Sequence, residues 1–207
     1  CASGQLHFGS RLYNILLQVF DLVKQKDPTN RLWNFLGNYE TLDGKTLQNK
    51  NGEIVELVLF YGDEDATSSF NNFLGLFKDT SKWQKSKSED WVNIRSLSEQ
   101  PISIYANLPL DYKQELDLHA QDELVKFLNQ QAIEPSVVIH RGHSYHMDKT
   151  LKKLKPSVKL AILGSCGGNK NIVNVATISP DAQIIVSKNT GSKLINDPMI
   201  AVIKEKL

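Results

Sequence analysis

His140, His143 and His146 fall within seven residues of one another, and the one internal cysteine, Cys166, follows twenty residues later. The 207 residues hold only five histidines and two cysteines. This short stretch therefore concentrates the side chains able to act as base, nucleophile or metal ligand near neutral pH. Each lies where an apolar run ends in glycine: Val137-Val138-Ile139-His140-Arg141-Gly142-His143-Ser144, and Leu160-Ala161-Ile162-Leu163-Gly164-Ser165-Cys166-Gly167-Gly168. Attack on an amide requires a thiolate, a base to form it, and N–H groups aimed at the developing oxyanion. Both runs offer such groups, and their glycines let a substrate carbonyl approach the backbone.

Metal binding and phosphate binding are two other uses open to these residue types. Imidazole and thiolate are both zinc ligands. However, histidines spaced by three along a strand and turn do not converge on one centre, since successive strand residues face opposite sides. No Cys-x-x-Cys pair is present either. The 164–168 turn with Lys170 lacks the Gly-x-x-x-x-Gly-Lys-Ser/Thr order of a phosphate-binding loop. The reading includes no metal and no cofactor. A structural alternative remains for each residue: cysteine is often inert core, His140 reads as a strand residue packed beside the site, and His146 as the opening of a helix.

The elements that must position these groups follow from apolar periodicity. Helical spacing runs through Leu12, Ile15, Leu16, Val19, Phe20 and Val23 over 10–25, and a shorter helical stretch covers 30–38. Turn signals at Asp43-Gly44 and Asn51-Gly52 make 41–52 a connector. Strands are expected at 54–61, 91–95, 102–106, 137–140, 158–163 and 183–186. Helices are expected at 66–77, 111–130 and 147–154, with a last one from Pro198. The segment carrying Lys78, Lys82, Lys85 and Lys87 reads as a loop. Strands alternating with helices predict an α/β fold: a three-layer sandwich around a mostly parallel sheet of about six strands. The division expected is a helical segment and connector over 1–52, then the α/β domain over 53–207. His143 and Cys166 are twenty-three residues apart, enough for one right-handed crossover that sets their strand ends side by side.

Composition narrows the function classes. Lys+Arg 24 against Asp+Glu 23 gives a net charge of +1, with no broad basic field to bind nucleic acid. No apolar run approaches the ~20 residues needed to span a bilayer. The chain opens on Cys1 rather than Met. Cys1-Ala2-Ser3-Gly4 fits the start of a mature lipoprotein whose thiol carries lipid, but the favoured expectation is the arbitrary boundary of a longer chain. Localisation stays open between these.

The two strand-end blocks resemble the caspase-like cysteine peptidases, the group of caspases, metacaspases, legumain, gingipains, clostripain and separase. The 163–168 turn also resembles the bacterial CHAT branch of that fold. The resemblance extends loosely over 54–203. It implies His143 as the catalytic histidine, Cys166 as the nucleophile, and amides at Gly142, Ser144 and Gly167 as the oxyanion hole. It also implies that an acidic group of the 62–65 loop, Asp63 first and Asp65 next, lines a pocket selecting Arg or Lys. The structural alternative for these acids is complementing a helix N-terminus. The sequence departs from the family pattern in Ser144, where many members have glycine, and in Gly164-Ser165, where caspases have Gln-Ala. The activity implied is cleavage of peptide or protein substrates by a His/Cys dyad. The alternative is a catalytically silent interaction module of a larger protein.

Overall fold

The computed structural model describes residues 42–206, and before them only Leu17. The helices expected over 10–25 and 30–38, and Cys1, otherwise lie outside the described residues. Seven strands form one sheet: β1 (Ile54–Phe60), β2 (Trp83–Lys87), β3 (Trp91–Ser96), β4 (Ile102–Asn107), β5 (Val137–Arg141), β6 (Leu160–Gly164) and β7 (Gln183–Val186). Their spatial order is β2-β3-β4-β1-β5-β6-β7. The five from β4 to β7 are parallel, and β3 is antiparallel to β2 and β4. The helices are α1 (Ala66–Gly75), α2 (Leu116–Gln130), α3 (Met147–Leu151), α4 (Ile172–Ile178) and α5 (Lys193–Lys206).

The architecture is the expected α/β/α sandwich. Strands β1, β4, β5 and β6 are buried along their whole length, as central parallel strands covered on both faces must be. Alternate residues feed two apolar layers. Val58, Phe60, Ile104 and Ile139 pack against Phe70, Phe73 and Phe77 beside α1 and against Ile200 of α5. Leu57, Leu59, Tyr61 and Val138 pack against Leu124 and Leu128 of α2, Met147 and Leu151 of α3, and Val175 of α4. Among the described residues no helix is long and apolar enough to cross a membrane.

Three elements differ from expectation. The lysine-bearing segment expected as a loop contains β2, an edge strand whose residues after Trp83 are exposed. One partner strand suffices to hold it, so it needs no apolar pattern. Helix α4 was not foreseen, because Val175 is the only residue in its seven that is buried. Helix α5 starts five residues before Pro198, its first turn seeded by the Ile195 and Asn196 amides donating to the Ser192 carbonyl. The proline forfeits one ladder bond inside it. The stretch read as a connector packs on the domain through buried Leu47 and a bridge from Gln48 to Ile54.

From β1 the chain passes to β4 on one side, then crosses through α2 to β5 on the other. The crevice beyond the carboxyl ends of β1 and β5 is therefore a topological switch point, where open α/β sheets place their ligands.

Candidate active site

Three strand ends meet at this crevice. β1 delivers Tyr61 and the 62–65 loop, β5 delivers 142–146, and β6 delivers 165–168. The register of the last two is fixed, because Arg141 pairs with Gly164. His143 and Cys166 each lie two residues beyond that pair, in the turns that follow these two adjacent parallel strands. Cys166 is exposed. Among the described residues no hydrogen bond joins it to His143. Catalytic hydrogen bonds are often long in a free enzyme and tighten with substrate.

His143 is half exposed and held from two sides. Its backbone N–H donates to Asp63 Oδ2 at 3.2 Å, and its Nε2 lies 3.9 Å from the same oxygen. Its ring stacks on exposed Tyr145, with centroids 5.2 Å apart and planes inclined by 13°. The Asp63 side chain is only 5% exposed, and its carboxylate is engaged by the histidine loop. Burial pushes the Asp63 carboxyl above its ordinary value, and the charge and amide of His143 pull it partly back. Asp65 is exposed, stands before the first residue of α1, and makes no side-chain cap bond. The Asp63–His143 contact was not foreseen.

The backbone amides divide into engaged and available groups. Gly167 adopts φ +62°, and its N–H donates to the Asn189 carbonyl at 3.0 Å. That amide is spent inside the protein, which takes Gly167 out of the expected oxyanion set. The Asn169 amide likewise turns inward to the Ser187 carbonyl. Ser144 opens a 3-10 turn, Ser144–His146, where the helical ladder supplies its amide with no acceptor. Gly142 lies against Tyr61: a Cβ there would stand 2.6 Å from Tyr61 Cδ2.

The other two histidines are structural. His140 is fully buried, with Nδ1 at 2.7 Å from Thr150 Oγ1 and Nε2 at 3.1 Å from the Gly142 carbonyl oxygen. Both ring nitrogens are thus committed, and burial pushes its pKa down to about 4. His146 stacks flat on Tyr61 at 4.2 Å, is buried, and is likewise shifted down by burial. The zinc reading loses His140 on these grounds.

The 187–196 segment, also unforeseen, backs the cysteine turn. The Ser187 hydroxyl donates to the Ser165 carbonyl, Gly191 packs on Ser165, and Asn196 Nδ2 donates to the Gly164 carbonyl at 3.0 Å. A separate cavity of about 310 Å³ opens between α1 and α5, lined by Phe73, Leu76, Leu194 and Ile200 among others. Its lining includes neither His143 nor Cys166. No protein-family model matches the chain, and no curated protein is significantly similar to it.

Proposed function

We propose that the protein is a cysteine endopeptidase acting through Cys166 and His143. The observation that supports the reading is the adjacency of β5 and β6, parallel neighbours whose carboxyl ends lead into His143 and the exposed Cys166. In this reading His143 takes the Cys166 thiol proton, and the sulfur attacks the peptide carbonyl carbon. The C–N bond breaks as His143 returns the proton to the leaving amine, leaving a thioester. Water then attacks that thioester, freeing the acid and restoring the thiol. The amides of Ser144, Gly142 and Cys166 are the donors proposed for the oxyanion, at about 3–4 kcal/mol each. Asp63 orients His143 in this scheme. With its carboxylate so used, the proposal includes no preference for Arg or Lys before the cleaved bond.

The test compares wild type with Cys166→Ala and His143→Ala on a mixed fluorogenic peptide library, alongside labelling by a peptidyl chloromethyl ketone. The expected result is hydrolysis that falls roughly a thousandfold or more in either variant, with label found on Cys166 only. Hydrolysis that survives Cys166→Ala rejects the nucleophile. No hydrolysis and no label in the wild type replaces the peptidase with a silent interaction module.

A further inference from the structure

We infer that His140 and Thr150 form a buried positioning relay that fixes the peptide unit carrying His143, an inference that rests on the dyad proposed above. The direction of every hydrogen bond in the relay follows from one acceptor. The Gly142 carbonyl can only accept, so His140 Nε2, 3.1 Å away, carries the ring proton. A neutral imidazole has a single ring proton, so Nδ1 accepts, and its partner at 2.7 Å, Thr150 Oγ1, donates. Thr150 has then spent its proton and must accept from the Tyr61 hydroxyl, also at 2.7 Å. Burial agrees at both ends: it keeps His140 neutral and holds the Tyr61 phenol protonated.

The relay ends on the Gly142–His143 peptide. Its carbonyl is held by His140 Nε2, and its N–H, pointing the opposite way, is held by Asp63 Oδ2 at 3.2 Å. The face of this segment lies on the Tyr61 ring, leaving no room for a side chain at Gly142. One peptide unit is thus clamped from β5, β1 and α3 together, and the next bonds along the chain lead to the His143 ring. Losing the Thr150 proton would free His140 to change tautomer and release the Gly142 carbonyl. His143 would then turn with its backbone, and a misplacement of about 1 Å can cost up to 100-fold in rate.

The test reads Cys166 alkylation by iodoacetamide, followed by mass spectrometry on the full chain from mildly acidic to mildly alkaline pH. In the wild type, reactivity on the acidic side depends on His143 and is lost in His143→Ala. Thr150→Val, which keeps the shape without the hydroxyl, lowers that reactivity roughly tenfold. Thr150→Ser, which keeps the hydroxyl, stays within about twofold, and so does Tyr61→Phe, since the Tyr61 proton lies upstream of the tautomer lock. Nitrogen-15 NMR of the wild type shows His140 as the neutral Nε2–H tautomer, a readout that does not require the valine variant to fold. Equal rates in Thr150→Val and Thr150→Ser overturn the relay and leave the dyad standing. A wild-type profile indifferent to His143→Ala overturns the dyad and the relay with it. An Nδ1–H tautomer at His140 overturns the direction assigned here.

Discussion

A methyl group at position 142 would meet the Tyr61 ring at 2.6 Å, whereas one at position 44 would meet nothing within 4 Å. Gly142→Ala is therefore expected to cost about 1–3 kcal/mol through overpacking, and Gly44→Ala less than about 0.5 kcal/mol. Denaturant midpoints of the two variants check the contrast. The comparison also shows what a sequence reading of glycine misses. Sequence alone reads the glycines of both strand-end runs, Gly142 and Gly168 among them, as room for a substrate carbonyl. Gly168 in fact has the Leu163 carbonyl oxygen 2.8 Å from where its Cβ would stand. Glycine marks a tight spot in the chain, but which neighbour makes it tight is decided by residues far away in sequence.

Within β1, Glu56 lies between Ile54 and Val58 and is 5% exposed. Burial lifts its pKa from 4.5 to about 7. The folded state therefore keeps a proton that the unfolded chain has released, and the contribution of this group to stability falls as pH rises from about 4.5 to about 7. Fully ionised, the group costs about 3 kcal/mol as an upper figure. Glu56→Gln is expected to flatten this fall and to raise stability at about pH 8 by about 1–3 kcal/mol, with little change at about pH 4. Urea unfolding of wild type and variant at the two pH values measures it; a stability difference between the two proteins that is the same at both pH values would refute the buried acid. In the sequence, Glu56 was one polar letter in a nearly unbroken apolar run. Such runs made β1, β4, β5 and β6 legible, because a strand covered on both faces has to be apolar almost throughout. β2 and α4 were hidden for the opposite reason: each buries too little to leave a pattern.

Across the molecule, Arg141 ties the end of β5 to both helices of one layer. Its Nε lies 3.2 Å from Asp197 of α5, and its Nη2 donates to Ser69 of α1 at 2.6 Å, with both ionic side chains at least 85% buried. Asp197→Ala strands a buried guanidinium and is expected to cost about 3–5 kcal/mol. Arg141→Met combined with Asp197→Leu is expected to recover most of that, as seen by thermal or denaturant unfolding. This scale also explains which part of the site could be read in advance. His143 and Cys166 follow strands consecutive in sequence and neighbouring in the sheet, so one crossover accounts for the adjacency of their strand ends. Asp63 meets His143 only because the connection from β4 crosses β1 and sets β5 on its far side, and no local pattern announces that choice.

The two margins of the sheet have unequal consequences for how the protein behaves at high concentration. At one margin β2 carries Lys85 and Lys87, both exposed, and a cationic border discourages a second molecule from continuing the ladder. At the other, β7 is four residues long, with Ile185 exposed and Val173, Leu194 and Ile195 exposed on or beside its flanking helices. Among the described residues β7 carries no charge of its own, so the deterrent to laddering that the lysines supply is confined to the β2 margin.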